Sequence, residues 1–379
     1  MTGPVFINQI YSFLPGSPIG NEEMEDYLGF VGGKKSRSKA IVLRNNKIVS
    51  RYYARDKQGN DTYTNAELTA NAINGLCARG FDLAAIELLT SGTTSPDQLL
   101  PAHGVMVHGL LQTKPMEVIS FSGSCCSSIN ALKYAYFSIK TGNTKNAVTT
   151  GSEKLSTLLT AQNFEDESAK LEELDLNPAL AFEKEFLRWM LSDGAAAAWL
   201  SDTKNESGIT LRIEWIEICS FANELETCMY MGAGMGTNGK TKGWLAYKPK
   251  EWLEHSIFAL KQNVVLLNEN IARLGTKKYV ELFEKHKVDP KSIDWFVPHI
   301  SSEYFRSKVD EEMKKYGVDL PQEKWYTNLS KVGNVGSASI LLALDELMKS
   351  GKLIVGQKII LTVPESARFS YANVLLTVV

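Results

Sequence analysis

Two stretches decide the fold: Ser128 to Gly142, SINALKYAYFSIKTG, and Ser337 to Gly351, SASILLALDELMKSG, which a shift of 209 residues lays one on the other. Each reads as a loop of small residues, a helix with apolar residues at helical spacing (Leu132 and Ala135 against Leu341 and Leu344), a Lys-x-Gly stop, and then a strand. Chance likeness of two amphipathic helices is the bland alternative to a duplication. The same shift lays Cys125 on Asn334. Two duplicated halves would each present a helix N-terminus, and a pseudo-twofold arrangement could bring those two ends to one central site.

Outward from these stretches, strand-like runs alternate with helical periodicity along the whole chain: Ala84 to Leu89, Glu117 to Phe121, Ala147 to Gly151, Asp294 to Val297 and Lys358 to Val363. The alternation predicts an α/β architecture of stacked layers. The longest polar stretch, Asn163 to Leu187, carries the run EDESAKLEELD before LSDGAAAAWL. It reads as a solvated helical insertion near 163–190 that returns to a buried strand of small residues.

With 379 residues, 44% of them apolar and 22% charged, the chain has enough apolar material for a large core, which excludes disorder and fibrous repeats. The 41 basic and 43 acidic residues balance to a net charge of -2 without a long basic run, which argues against a general nucleic-acid binder. The start, MTGPVFINQIYSFLPG, has no basic lead into an apolar block, and no stretch approaches the roughly 18 apolar residues of a membrane span. A cytoplasmic protein is expected. The five cysteines are odd in number and lack CxxC spacing, so neither a disulfide framework nor a zinc site is expected, and no metal or cofactor is called for.

Cys125 lies in FSGSCCSSIN, where an apolar strand ends, small residues turn the chain, and a helix begins near Ser127 or Ser128. A cysteine there meets the partial positive charge of the helix N-terminus, which favours thiolate and makes a nucleophile near neutral pH. An inert core cysteine is the alternative. The adjacent Cys126 could join it only through a strained vicinal disulfide and is assigned to packing. His299 follows Asp294-Trp-Phe-Val-Pro298 at an expected strand end, just before a helix over 301–316. A satisfied buried histidine would fit that position too. His103, His108, His255 and His286 are given no catalytic role.

Asn334, in SKVGNVGSAS, sits in a glycine-bracketed turn at a helix start, where Asn often serves only as a cap. Its pairing with Cys125 under the duplication favours a functional reading. Cys, His and Asn together could manage one thioester: the thiolate takes an acyl group, and two neutral donors steady an enolate oxygen on a second substrate. Glu153 is either a buried structural carboxylate or a proton acceptor beside the site. Gly234-Met-Gly236-Thr-Asn-Gly239 satisfies GxGxxG, but without a preceding strand or a following helix it reads as a mobile loop.

These motifs resemble the β-ketoacyl-acyl-carrier-protein synthase III group of thiolase-fold condensing enzymes over nearly the full chain. The segment from Cys125 through Gly151-Ser-Glu153 is similar to the family's nucleophile helix, VPHIS to its histidine motif, VGNVGSAS to its asparagine motif and LSDGAAAAWL to its DGA strand. The resemblance implies a five-layered αβαβα fold of two duplicated halves, residues 1–201 with the nucleophile and the insertion, and residues 202–379 with His299 and Asn334. It implies Cys125 as acyl-carrying nucleophile, with His299 and Asn334 as paired oxyanion donors. TTSPDQLLP resembles the segment that crosses a homodimer interface into the partner's acyl tunnel, which would put Leu100 there. Where the family ends in a glycine-rich loop, this chain reads VPESARFSYANV, so Glu365 and Arg368 would make the pocket floor more polar, with Arg368 and Phe369 as tunnel residues. FLPGSPIGNEEMEDYLG, IVLRNNKIVSRYYA and TYTNAELTANA resemble the branch that makes dialkylresorcinol or cyclohexanedione precursors.

The expectation is therefore a homodimeric acyltransferase that joins a Cys125-bound acyl group to a malonyl or β-ketoacyl thioester by Claisen condensation, with ring closure as a further step. Acyl carrier protein and coenzyme A thioesters are the expected partners, and Arg306, Lys308, Lys314 and Lys315 could supply part of a basic rim for the carrier. In the β-ketoacyl case a base must remove the α proton, and Glu153 is the candidate. The rivals are a hydroxymethylglutaryl-synthase-like or thioester-hydrolysing enzyme on the same scaffold, and a non-catalytic partner subunit, which would have no need of the Cys, His and Asn set.

Overall fold

The computed structural model describes residues 3–36, 38–165, 186–236 and 239–379. Nine strands form the main sheet: β1 (Phe6–Phe13), β2 (Leu88–Thr93), β3 (Glu117–Ser122), β4 (Asn146–Glu153), β5 (Gly194–Ser201), β6 (Leu211–Ser220), β7 (Trp295–Pro298), β8 (Lys358–Glu365) and β9 (Ser370–Val378). Their order is β7-β8-β9-β6-β1-β5-β4-β2-β3. The middle join is thin, because β1 and β6 share only the pairs Phe6 with Arg212 and Ile7 with Leu211. On either side of it the order is mirrored. In the N-terminal half β4 pairs antiparallel with β5 and parallel with β2, which continues in parallel to β3. In the C-terminal half β8 pairs antiparallel with β9 and parallel with β7, which continues through one parallel bridge from Phe296 to Trp325.

Six helices matter for the site: α1 (Asn65–Cys77), α2 (His103–Leu111), α3 (Ser127–Lys140), α4 (Val264–His286), α5 (Tyr304–Lys315) and α6 (Ser339–Lys349). The duplicated helices α3 and α6 form the central layer, packed in one apolar core with the inner faces of both half-sheets. A second core lies between α1 and α2 and the outer face of the N-terminal half, and a third under α4 and α5 on the other side. Helix, sheet, helix, sheet, helix is the five-layered fold the resemblance implied. The AAAA run of β5 serves both faces: Ala196 and Ala198 enter the central core, Ala195 and Ala197 the outer one. Small side chains let helices approach both sides of one strand closely.

The pseudo-twofold axis is marked by a hydrogen bond between equivalent residues, since Ser128 Oγ donates to the Ser337 carbonyl at 2.6 Å, across 209 residues. Two glycines admit this meeting. A Cβ on Gly92 would fall well under 3.0 Å from the Ser127 and Ser128 backbone, and one on Gly151 would lie 2.8 Å from both Ser128 Cβ and the Ser337 carbonyl oxygen.

The expected strands are all present, but the one expected from Ala84 begins at Leu88, because Asp82 accepts a hydrogen bond from Ala84 N and winds residues 83–85 into a 3-10 turn. The helix expected over 301–316 runs from Tyr304 to Lys315. The GxGxxG stretch, read as a mobile loop, belongs to a small hairpin in which Ala233–Met235 pairs with Thr241–Gly243; Thr237 and Asn238 lie outside the described residues. Most of the expected helical insertion, residues 166–185, also lies outside them. Among the described residues no helix is long and apolar enough to cross a membrane.

Candidate active site

The nucleophile position is made by the turn from β3 into α3. Gly123 and Ser124 carry the chain round, and Ser127 N donates to the Ser124 carbonyl at 2.9 Å. Cys125 sits in this turn, 8% exposed, with Ser124 Oγ 3.7 Å from its sulfur. Both Cys125 and Cys126 are free thiols. Cys126 turns the other way, into the central core, where its thiol donates to the Val363 carbonyl at 3.3 Å.

Asn334 is fixed by its backbone from two sides: its N–H donates to the Met190 carbonyl and its carbonyl accepts from Ser192 N, both at 2.9 Å. Its side-chain oxygen accepts from Gly336 N at 3.0 Å, which commits Oδ1 to the turn and turns the Nδ2 hydrogens to other use. His299 leaves the end of β7, held by its own N–H on the Thr362 carbonyl at 2.7 Å. Its ring is buried, and neither nitrogen has a protein partner.

Cys125, His299 and Asn334 all line one cavity of about 1000 Å3 of empty space, its mouth included. Its walls are mainly apolar, from Leu155, Leu191 and Met229 near the N-terminal half to Leu267, Ile271 and Phe305 on α4 and α5. Residues distant in sequence meet here because the duplication sets one helix N-terminus from each half at the axis, and β7 ends beside them.

Burial holds the His299 ring neutral, pushing its pKa down to about 4. A neutral imidazole keeps one N–H to donate. The cysteine differs from the sequence expectation. Burial first, and then the Glu365 carboxylate, push the Cys125 thiol up to about 12. The helix end expected to favour thiolate is already occupied: Glu365 Oε2 accepts from Ser124 N at 3.3 Å and from Cys126 N at 3.2 Å. The partial positive charge is spent on a carboxylate, and that carboxylate repels a thiolate next to it. The sequence marked Glu365 as a departure from glycine, but gave no sign that it would fold back on this turn.

Glu153 is fully buried at the end of β4, and burial raises its carboxyl. Its oxygens accept from Thr94 Oγ1 at 2.7 Å, Ser95 Oγ at 2.7 Å, Thr94 N at 3.0 Å and Ser337 N at 3.1 Å. Gly336, at φ +48°, passes so close that a Cβ there would lie 2.9 Å from Glu153 Oε1. Glu153 thus clamps the Asn334 turn to the N-terminal half and does not itself line the cavity.

Arg368 and Phe369, expected along the tunnel, lie away from this cavity, and Leu100, expected to reach a partner's tunnel, stands outside its own. Leu100, just before a cis Pro101, is 85% exposed. Arg368 Nε donates to the Leu225 carbonyl at 3.1 Å, and Phe369 is buried in the core under α4. The basic residues of α5 are met by nearby groups: Arg306 by Glu303, Lys314 by Asp310, Lys315 by Glu312, and Lys308 by Asn268. Thr276 and Tyr279 on α4 line the cavity and were not foreseen, because on a helix with one apolar face their spacing reads as ordinary core.

Residues 283–376, which carry His299 and Asn334, match the family described as 3-Oxoacyl-[acyl-carrier-protein (ACP)] synthase III C terminal. A β-ketoacyl-[acyl-carrier-protein] synthase III of Clostridium perfringens is 25% identical over 349 residues, covering 92% of each chain. Among solved structures, an E117A variant of OleA from Xanthomonas campestris superposes with a TM-score of 0.76 at 18% identity, covering 100% of this chain and 99% of that one. AbyA1, a tetronic acid condensing enzyme, superposes with a TM-score of 0.75 at 17% identity, covering 98% and 99%. With a family match over the segment that holds two of the three site residues and relatives similar over nearly the whole length, the chain is similar to 3-oxoacyl-[acyl-carrier-protein] synthase III enzymes and shares their thiolase fold.

Proposed function

We propose that this Claisen-condensing acyltransferase carries its first acyl group on Cys125 and stabilises the second substrate's enolate with His299 and Asn334. The observation that carries the reading is that these three side chains line one cavity, with the His299 nitrogens buried and unpaired and Asn334 Oδ1 already committed. Unpaired donors buried in a mainly apolar pocket cost stability unless something in the reaction uses them.

The Cys125 sulfur attacks a thioester carbonyl, the carrier thiol leaves with the proton lost from Cys125, and an acyl-enzyme remains. A malonyl thioester then loses carbon dioxide, and the electron pair of the broken bond becomes an enolate. Its oxygen accepts from the one N–H of neutral His299 and from Asn334 Nδ2. The enolate carbon attacks the acyl carbonyl, a carbon-carbon bond forms, and Cys125 leaves as thiolate and takes up a proton from solvent. A β-ketoacyl partner would need a base for its α proton. The clamp on Glu153 favours a positioning role for that residue, holding Gly336 and Ser337 beside Asn334.

We take residues 1–201 and 202–379 as the two units, working as a cytoplasmic homodimer on acyl carrier protein and coenzyme A thioesters. What supports the dimer is an apolar patch of Leu99, Leu100, Val105, Met106 and Leu110, all exposed, beside β3 at the open edge of the sheet. Closure of a ring after condensation is the finer part of the proposal. The test is product analysis with an acyl thioester and a malonyl or β-ketoacyl thioester. A ketone with a new carbon-carbon bond is expected. His299→Ala and Asn334→Ala should still acylate Cys125 but condense roughly 100-fold more slowly. Free acid alone would refute condensation in favour of hydrolysis.

A further inference from the structure

Beneath α4 the cavity runs between that helix and the outer face of β8 and β9, past Thr362 and Tyr371. Most of this arm is apolar, as an acyl chain requires: Leu267, Ile271 and Ala272 face it, and Gly275 is bare because a Cβ there would lie 2.9 Å from the Tyr371 ring. Two polar atoms break the pattern. Thr276 and Tyr279, 1% and 4% exposed, stand one turn apart on α4 and both line the cavity. Neither Thr276 Oγ1 nor Tyr279 Oη has a hydrogen-bond partner.

Both residues have ordinary ways to be satisfied that they do not use. A helical threonine can donate to the carbonyl four residues back, and Thr276 does not. Tyr279 lies beside the Thr362 hydroxyl, whose hydrogen is committed to Asn373 Oδ1 at 2.9 Å, so Thr362 can at most accept from Tyr279 and the Tyr279 oxygen stays open as an acceptor. An unpaired buried hydroxyl is costly, and valine or phenylalanine would fill the same space without that cost. Two such atoms on one wall of the cavity are placed to meet polar groups of a molecule that enters it. No Lys, Arg, Asp or Glu lines the cavity among the described residues, so a neutral group suits these two oxygens better than a charged one.

We infer that the arm under α4 receives an acyl chain bearing a neutral oxygen, a hydroxyl or a keto group along the chain, which hydrogen-bonds to Thr276 Oγ1 and Tyr279 Oη. The inference rests on the proposed acyl transfer at Cys125 and deepens it by naming the class of chain.

The experiment uses the full-length enzyme and coenzyme A thioesters of one chain length, either unsubstituted or carrying a hydroxyl or keto group at successive carbons. The rate constant for adduct formation at Cys125 and the rate of condensation are read by mass spectrometry, each as a ratio to the unsubstituted chain. At one position the wild-type ratio should reach about tenfold or more, and Thr276→Val and Tyr279→Phe should each collapse it toward one. A wild-type ratio near one at every position overturns the inference. So does a high ratio that survives in both variants, and neither result touches the proposed function. If no chain acylates Cys125, the proposed function itself falls, and this inference with it.

Discussion

Replacing Glu365 with Gln should make Cys125 more reactive, the opposite of what losing a catalytic carboxylate would do. The carboxylate sits on the N–H groups of Ser124 and Cys126 and, after burial, is the largest influence raising the Cys125 thiol to about 12. A thiol titrating near 12 is roughly 0.01% thiolate at pH 8, against roughly 10% for one at its ordinary value of 9.0. Gln is isosteric and its oxygen can still accept both N–H groups, so the substitution removes the charge and leaves the turn. A partly buried unit charge a few ångströms away is worth about 1–3 kcal/mol, or a rise of roughly 5- to 150-fold in thiolate. The assay is alkylation by iodoacetamide, followed at the Cys125 peptide. Wild-type rates should climb tenfold per pH unit from 7 to 10 without a plateau, since thiolate gains until pH passes about 12. The variant should be faster at every pH in that range. An equal or slower rate for Glu365→Gln would refute the claim that Glu365 suppresses the thiolate.

Two further predictions concern stability. Gly92→Ala forces a Cβ into the backbone of Ser127 and Ser128, which cannot move without dragging α3, so it should cost about 3 kcal/mol and lower Tm by ~4 °C. Gly243→Ala, with open space around its Cβ, should change Tm by no more than ~1 °C, and equal effects would contradict the close-approach argument. Burial also holds His299 neutral, with a folded-state pKa of about 4 below the ordinary 6.5. Its contribution is therefore complete above pH 6.5 and is lost as pH falls toward 4, because the unfolded chain takes up a proton that the folded one refuses. By pH 5 the loss is about 2 kcal/mol. Urea unfolding should show the stability of wild type minus that of His299→Gln falling by that amount between pH 7.5 and pH 5, and a constant difference would contradict the buried neutral ring.

The layering was legible because duplication leaves two copies of one pattern. The match of Ser128–Gly142 to Ser337–Gly351 predicts two equivalent helices, and the Ser128 to Ser337 hydrogen bond joins equivalent residues at the axis. The meeting of Cys125 with Asn334 followed from the same shift, and His299 from its place at a strand end. What the sequence did not disclose depends on where side chains fold back. Glu365 lies more than 200 residues from the turn it caps, so no local pattern could reveal that it occupies the helix end. Glu153 looked equally like a base and a structural carboxylate until four donors were found around it. Thr276 and Tyr279 carry no motif, and only the missing partners of their buried oxygens single them out.

The central claim is that the first acyl group is held by the sulfur of Cys125. Brief incubation with an acyl thioester, acid quench and peptide mass spectrometry tests it directly. The acyl mass is expected on the peptide containing Cys125 and Cys126, localised by fragmentation to Cys125, and lost in Cys125→Ser but retained in Cys126→Ser. An adduct on Cys126, or full product formation by Cys125→Ser, would contradict the account.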